Sequence, residues 1–191
     1  MQSEKNKNLD HLVANPTGTG PSFTFKNRVI RALWNVVWFF GACWTPPAMH
    51  SWRRMLLILF GAKMASCSDV RGSAKVWYPA LLEMGHGALI AERVRCYNQA
   101  KIIMGEFSLV SQGAYLCAGS HNVDDAKFQL LAKPIYIGSG CWIAADAFVG
   151  PGVTINDRAV LGARGVAFSN LERNMVYVGN PAKSIRARQG F

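Results

Sequence analysis

The second half of the chain repeats an apolar residue at every sixth position. A first row of aliphatic or small residues contains Ile137, Ile143, Val149, Ile155, Leu161 and Ala167. A second row, four residues further along, contains Cys141, Ala147, Val153, Ala159 and Gly165. A period of six matches neither the alternation of an ordinary strand nor the 3.6-residue turn of a helix, so this stretch is an internal repeat.

Repeats of this kind predict a solenoid. Each hexad would form one short strand and a corner, and three hexads would close a triangular coil of about 18 residues with the aliphatic row along its axis. The pattern does not give the hand of the coil, although the general rule for crossovers between parallel strands favours a right-handed one.

The same period continues less regularly before Ile137. The predicted inward positions make about two and a half coils, with a two-residue slip before the last three. They are Val70, Val76, Met84, Ile90, Cys96, Met104, Val110 and Leu116. Residues 122–134 fit no hexad and predict a loop that protrudes from the coil. Long loops on rigid scaffolds often carry function.

Two helices are predicted ahead of the repeat. Residues 26–44 place apolar side chains at helical spacing before a Pro-Pro stop, and a second helix over about 48–60 has Arg53 and Arg54 on its polar side. We therefore expect a flexible polar tail over 1–25, a two-helix segment over 26–64, and a solenoid over 65–191 that ends in a basic tail.

The two predicted helices have two compatible roles. They could cap the open end of the solenoid, which every repeat array requires. They could also contact a membrane interface through residues 26–60, because tryptophans with flanking arginines suit anionic lipid. The first helix has too few uninterrupted apolar residues to span a bilayer, which needs about 20.

Charge and cysteine content indicate which partners and which cellular compartment to expect. A formal charge of +10 predicts attraction to polyanions, but no nucleic-acid-reading motif is present, so we expect no nucleic-acid partner. The five cysteines follow no metal-ligand spacing and predict reduced, packed thiols. No signal peptide opens the sequence, so we expect a cytoplasmic protein, with the inner membrane face as the alternative site.

His121 is the candidate for chemistry among four histidines, which also include His11, His50 and His86. It ends the hexad LCAGSH, where a rigid coil edge meets the predicted loop. A zinc site needs about three protein ligands, and the other histidines are badly placed to supply them. We therefore predict no metal.

Several stretches resemble the hexapeptide-repeat acyltransferases, specifically the colanic acid biosynthesis acetyltransferase branch. They are SQGAYLCAGSHN, PIYIGSGCWIAADAFVGPGVTI, VLGARGV and VGNPAKSIRAR, with WRRMLLILFGAK and VWYPALLEMG upstream. The maltose, galactoside and nodulation-factor O-acetyltransferases are more distant relatives. The resemblance covers about residues 28–188 and implies a mainly β fold, a left-handed parallel β-helix with an N-terminal helical segment.

The same resemblance implies a function. It implies a homotrimer with acetyl-CoA in a groove between neighbouring subunits, and direct acetyl transfer to a saccharide of exopolysaccharide or cell-surface polysaccharide synthesis. His121 matches the catalytic histidine, whose imidazole can take a proton from a sugar hydroxyl near neutral pH. The family residue after this histidine is commonly Asp, but here it is Asn122. Either Asp124 or Asp125 would then support the imidazole, or Asn122 only turns the chain.

Five further residues match family positions beside the cofactor. They are Trp142, Ala145, Ala163, Lys183 and Arg186. Ala145 replaces a serine of the galactoside enzymes, so an oxyanion donor would be a backbone N–H. The two cations suit the phosphates of CoA, with a solvated basic tail as the alternative.

Other functions stay open at this stage. Within the same fold, the acyl chain could be longer than acetyl, or the acceptor could be an antibiotic. The acceptor saccharide could be free or lipid-linked. Outside catalysis, the chain could be a membrane- or polyanion-binding solenoid.

Overall fold

The computed structural model describes residues 23–124, 126 and 128–189. From residue 63 onward the chain winds repeatedly through three sheets, each with its own strand in every full coil. Sheet A contains β1 (Lys63–Met64), β4 (Leu82–Met84), β7 (Ile102–Met104), β12 (Ile135–Ile137) and β15 (Thr154–Ile155). Sheet C contains β3 (Lys75–Val76), β6 (Arg95–Tyr97), β9 (Tyr115–Cys117), β14 (Phe148–Val149) and β17 (Val166–Ala167).

Sheet B, the longest, closes the prism. It contains β2 (Asp69–Val70), β5 (Leu89–Ile90), β8 (Leu109–Val110), β13 (Trp142–Ile143), β16 (Val160–Leu161), β18 (Met175–Val178) and β19 (Lys183–Ala187). Its strands are parallel except that β19 pairs antiparallel with β18 at the far end. We number the coils from the one that contains β1 and call the prism edges B/C and C/A after the sheets that meet there.

The pairing register gives the length of each coil. In sheet A, Met64 pairs with Met84, Met84 with Met104, Met104 with Ile137 and Ile137 with Ile155, spacings of 20, 20, 33 and 18 residues. The predicted 18-residue coil is therefore found after Ile137. The first two coils are longer at the C/A edge, where the first contains a 3₁₀ turn, Pro79–Leu81.

The predicted inward rows fill the solenoid axis. Both rows between Ile137 and Ala167 are buried, and so are the earlier positions from Val70 to Leu116. The predicted repeat is confirmed at every inward position named. Strand β1 adds a sheet A strand to the first coil, so three coils precede Ile137 and the solenoid starts two residues before the expected boundary after residue 64.

The long third coil contains a hairpin. Strand β10 (Gly119–His121) pairs antiparallel with β11 (Leu130–Ala132), and Ala118 and Ala132 are buried at its base. The residues expected to form an irregular loop over 122–134 thus partly belong to a paired strand. The alternation within a three-residue strand is too short to be visible in the sequence.

Two helices precede the first coil. Helix α1 spans Phe25–Gly41 and α2 spans His50–Leu59, with a 3₁₀ turn at Pro47–Met49 between them. Thr24 accepts the first capping hydrogen bond from the Asn27 N–H. In the described part of the chain, no helix is long and apolar enough to cross a membrane.

These helices cap the open end of the solenoid. The indole N–H of Trp34 donates to the Val76 carbonyl at 2.7 Å, and that of Trp38 donates to the Gly72 and Ala74 carbonyls at 3.0 Å. An end coil has no preceding coil to satisfy such carbonyls, and a buried carbonyl without a partner is costly. The helices therefore take the predicted capping role.

The five cysteines are free thiols, but Cys43 and Cys67 are exposed, so the prediction of packed thiols is wrong for these two. Cys96 and Cys141 point into the axis, as predicted, and both are buried. Burial raises the pKa of the Cys96 thiol to about 12, so almost no thiolate forms at neutral pH.

Candidate active site

His121 lies on strand β10, with its side chain exposed on the protruding hairpin. Its Nδ1 is 2.9 Å from the carbonyl oxygen of Phe128 across the hairpin. A carbonyl only accepts, so Nδ1 carries the proton and Nε2 is left with a free lone pair. The Phe128 ring stacks on the imidazole, with centroids 4.4 Å apart and planes inclined by 10°. The hairpin thus presents a histidine whose outer nitrogen can accept a proton.

The base of the hairpin is tied to the C/A edge. The Lys133 N–H donates to the Ala118 carbonyl at 2.9 Å, and the Ala118 N–H donates to the Tyr97 carbonyl of the coil before. Gln99 packs so closely on Gly119 that a Cβ there would overlap its side-chain oxygen. The Gln99 amide in turn donates to the Tyr97 hydroxyl at 2.7 Å. These contacts fix the backbone at the start of the hairpin and therefore the position of His121.

Asn122 stabilises the turn after His121. Its side-chain oxygen accepts from the Asp124 N–H at 3.3 Å, and its own N–H donates to the Gln129 carbonyl at 2.8 Å. This agrees with the alternative in which Asn122 turns the chain. The carboxylate support expected of Asp124 stays a prediction, and Asp125 lies outside the described residues. The group seen to orient the imidazole is the Phe128 carbonyl.

Phe128 is the site residue that the sequence analysis missed. It lies in the stretch that fits no hexad, where periodicity carries no signal. Its φ of 45° places it in the left-handed region, which is uncommon for a residue with a side chain. No spacing rule would have paired it with His121 across the hairpin.

Three of the predicted cofactor residues lie along sheet B and the B/C edge. Trp142 starts β13, is 45% exposed, and its indole N–H donates to the Ser111 hydroxyl at 2.9 Å. Ala145 and Ala163 stand on successive rungs of this edge, because the N–H of Arg164 donates to the Ala145 carbonyl at 2.9 Å. Small side chains there leave the edge backbone accessible.

The two predicted basic residues belong to the same sheet. Lys183 and Arg186 lie on the exposed strand β19, where they pair with Val178 and Val176. Strand β19 is three rungs from β13 in sheet B, roughly 14 Å at the usual spacing between strands. An elongated ligand along this sheet could contact an indole near one end and two cations near the other.

The structure does not bring His121 next to these five residues within one chain. The hairpin leaves from the C/A edge, whereas Ala145 and Ala163 line the B/C edge. Sheet C separates the two edges by about five residues of extended chain, roughly 15 Å. Within one chain, His121 and these residues therefore lie on different edges of the prism.

Sheet C carries a row of aromatic rings between these edges. Tyr97 and Tyr115 have ring centroids 6.5 Å apart, Tyr115 and Phe148 are 5.5 Å apart, and Phe148 and Phe168 are 5.4 Å apart. The first three rings are half-buried and Phe168 is exposed. We call this row the aromatic ladder. A contiguous apolar stripe on a soluble protein commonly marks an interface.

The described residues contain no group of three His, Cys, Asp or Glu side chains that could hold a metal ion.

Comparisons with known proteins find a relative whose sequence matches most of the chain. No family model matches the chain. WcaF of Escherichia coli strain K12, named a colanic acid biosynthesis acetyltransferase, is 43% identical over 162 residues, 85% of this chain and 89% of that protein. Among solved structures, the maltose O-acetyltransferase of Clostridium difficile 630 has a TM-score of 0.77 at 21% identity, covering 87% of this chain and 90% of that chain.

A second solved structure is the hexapeptide-repeat acetyltransferase VCA0836 of Vibrio cholerae in complex with acetyl coenzyme A. Its TM-score is also 0.77 at 21% identity, covering 87% of this chain and 91% of that chain. At this identity the two structures show a shared fold.

Proposed function

The chain belongs to the colanic acid biosynthesis acetyltransferases and has their left-handed parallel β-helix, and from that premise we propose that it transfers the acetyl group of acetyl-CoA to a saccharide hydroxyl. The acceptor is a free or lipid-linked saccharide of exopolysaccharide or cell-surface polysaccharide synthesis. The observation that carries the proposal is the exposed imidazole of His121, with Nδ1 bonded to a carbonyl and Nε2 free to accept a proton.

His121 acts as the general base. As the acceptor oxygen attacks the thioester carbonyl, Nε2 takes the hydroxyl proton. When the tetrahedral intermediate collapses, the C–S bond breaks and the imidazolium returns that proton to the departing sulfur. No acyl-enzyme forms, because the acceptor itself attacks the thioester. The Phe128 carbonyl keeps Nδ1 as the donor throughout, and the imidazolium that forms is stabilised by that hydrogen bond.

Sheet B and the B/C edge hold acetyl-CoA in this proposal. Acetyl-CoA supplies an activated thioester. Trp142 covers the pantetheine arm, Ala145 and Ala163 allow it to lie close to the backbone, and Lys183 and Arg186 meet the phosphates. Because position 145 has no hydroxyl, a backbone N–H at this edge stabilises the oxyanion.

A homotrimer would complete the site. If sheet C of each chain faces a common three-fold axis, the aromatic ladder is covered and each C/A edge abuts the B/C edge of the neighbouring chain. The His121 hairpin of one subunit then meets the cofactor residues of the next, across the gap that a single chain leaves open. Sedimentation of the protein as a monomer at working concentration would contradict this arrangement.

The role of His121 is tested by substitution. We expect His121→Ala to lower acetyl transfer at least about tenfold to a hundredfold, because general-base catalysis contributes about 10²–10⁴-fold. The measurement is CoA release with saccharides, lipid-linked oligosaccharides and chloramphenicol as separate acceptors. Acetyl-CoA binding, measured by calorimetry, should be retained.

His86→Ala is the matched control, because His86 lies on the coils and bonds Ser66 rather than the hairpin. It should transfer acetyl groups at the wild-type rate. Equal rates for His121→Ala and wild type would refute the general-base role. Transfer to chloramphenicol alone would replace the saccharide with an antibiotic acceptor.

A further inference from the structure

Helix α1 is apolar on both of its sides. The side with Trp34 and Trp38 packs on the first coil and is buried. The opposite side places exposed apolar residues at spacings of four, four, three and four, a continuous helical stripe. These residues are Phe25, Val29, Leu33, Val36 and Phe40, of which Phe25 is 78% and Phe40 70% exposed. Packing against the solenoid explains why the first side is apolar. It does not explain why the second side is apolar.

Helix α2 extends this exposed stripe. Its outward residues are Trp52, Met55, Ile58 and Leu59, and Leu59 is 74% exposed. The Trp52 indole N–H donates to the Gly41 carbonyl at 2.7 Å, which joins the two helices where α1 ends. Nearby, the Trp44 indole donates to the Phe40 carbonyl, so its ring is exposed while its polar atom is satisfied. We call these outward residues of α1 and α2, with Trp44, the cap surface.

The chain segment that carries the cap surface contains charged residues of one sign only. Residues 23–68 contain six Lys or Arg and no Asp or Glu. Lys26 and Arg28 are exposed at the start of α1, whereas Lys63, just after α2, is exposed but pairs with Glu83 at 3.1 Å. Arg53 is neutralised by Asp69, so it does not contribute to the external field. The cap surface is thus an exposed apolar patch with a cationic margin.

We propose that the cap surface docks on the face of an anionic lipid bilayer. Apolar side chains of interfacial helices enter the boundary between headgroups and acyl chains, tryptophans suit that boundary, and nearby cations attract anionic headgroups. The helices lie flat, because neither is long and apolar enough to cross. A second copy of this chain would bring an equally cationic segment to the patch, which charge repulsion disfavours.

Docking on a membrane is compatible with the proposed trimer. In the proposed trimer the chains meet through sheet C, and three-fold symmetry puts all three cap surfaces at the same end. Three attachments act together and bind far more tightly than one. This step alone rests on the proposed function. The docking of a single chain depends only on the exposed residues and charges described here.

The test is vesicle flotation with the full chain. Vesicles of phosphatidylcholine with phosphatidylglycerol should carry the protein at low salt. Binding to phosphatidylcholine alone should be at least about tenfold weaker, because each cation near an anionic surface contributes to attraction. Binding should fall as salt rises, because salt screens exposed charges. Equal binding to both vesicle types, or no binding to either, would overturn the proposal.

Paired variants locate the contact. Leu33→Gln with Phe40→Gln should reduce binding at least about tenfold, because two exposed apolar side chains that would enter the bilayer are lost. The matched control is Phe107→Gln with Tyr136→Gln, two exposed aromatics on the third and fourth coils. This control should float like wild type, and circular dichroism should show that both pairs are folded. Equal binding by both pairs would overturn the assignment to the cap surface.

Two further measurements separate the alternatives. Acetyl transfer to a soluble saccharide should be unchanged in the Leu33 and Phe40 variant, so failure of docking and failure of catalysis are distinguishable. Sedimentation without lipid should give the same mass for this variant and wild type. A lower mass for the variant, together with no vesicle binding by wild type, would assign the cap surface to a second copy of the chain.

Discussion

At the residue scale, Arg53 connects both helices to the solenoid. Its fully buried guanidinium bonds both carboxylate oxygens of Asp69, with Nη2 at 2.9 and 3.0 Å. It also donates to the Val70 carbonyl at 2.8 Å and to the Pro46 and Pro47 carbonyls between the helices, at 2.7 and 3.0 Å. Each donor direction is used, which is the condition under which a buried charge is tolerated.

We expect Arg53→Met to lower the free energy of unfolding by about 3–5 kcal/mol, because it breaks a buried ion pair and leaves several carbonyls without their donor. The Asp69 carboxylate would then keep its ion pair with Arg71, at 3.2 Å. Arg54→Met is the control, since Arg54 is only partly buried and its change should cost no more than about 0.5 kcal/mol. Chemical denaturation followed by fluorescence measures both. Equal losses would show that Arg53 contributes no more than its neighbour.

The sequence predicted the inward residues better than it predicted Arg53. The hexad period follows from stacking, so each inward position, from Val70 to Ala167, could be read directly. Arg53 was expected on the polar side of its helix and is instead buried. Its partner Asp69 is 16 residues away on the first coil, and no local pattern joins the two.

At the element scale, the hairpin β10–β11 adds the candidate catalytic histidine to the repeat. It is inserted at the C/A edge of the third coil, where it leaves the axis undisturbed: Leu116 before it and Ile135 after it are both buried. The sequence could show that residues after His121 leave the repeat, because the period fails there. It could not show that Leu130 returns to pair with His121, since antiparallel pairing depends on contacts across the turn.

The Phe128 ring should contribute to the activity of this hairpin. We expect Phe128→Ala to lower kcat by about twofold to tenfold, the usual size of a lost aromatic contact. The carbonyl that orients Nδ1 is retained in this variant, so the pH dependence of kcat should keep its shape. Acetyl-CoA KM should change less than kcat, because the contact of the ring is with the imidazole of His121.

Phe107→Ala controls for backbone effects. Phe107 also has a positive φ, 54°, and its ring also meets a histidine, His86, at 5.3 Å. Its loss should leave kcat unchanged. If both variants lose activity equally, the stacking on His121 has no special role.

At the scale of the whole molecule, the proposed site belongs to two chains. One chain offers His121 at its C/A edge, and the other offers Ala145 and Ala163 at its B/C edge. Sequence could supply both sets of residues through the family resemblance. That they occupy different edges of one prism depends on the length of every coil, which only the pairing registers reveal.

This arrangement predicts recovery of activity on mixing. His121→Ala chains and Ala163→Trp chains should each be inactive, the second because an exposed edge position is filled by a bulky ring. Co-expressed trimers that contain both kinds of chain should regain about a third of wild-type acetyl transfer, because one of their three sites joins an intact C/A edge to an intact B/C edge.

Differently tagged chains allow the mixed trimers to be purified through both tags and assayed. Inactive trimers that contain both tags would place the two residues in the same chain's site. Trimers built from one variant only are the control and should show no recovery.

Stacking confines the influence of each coil to the ones before and after it. The helices rest on the first coil, whereas His121 belongs to the third and Trp142 to the fourth. Selection can therefore remodel the segment before Lys63 without retuning the chemistry, and can reshape the hairpin without loosening the helices. The reaction of the third and fourth coils and the surface formed by the two helices can therefore evolve independently.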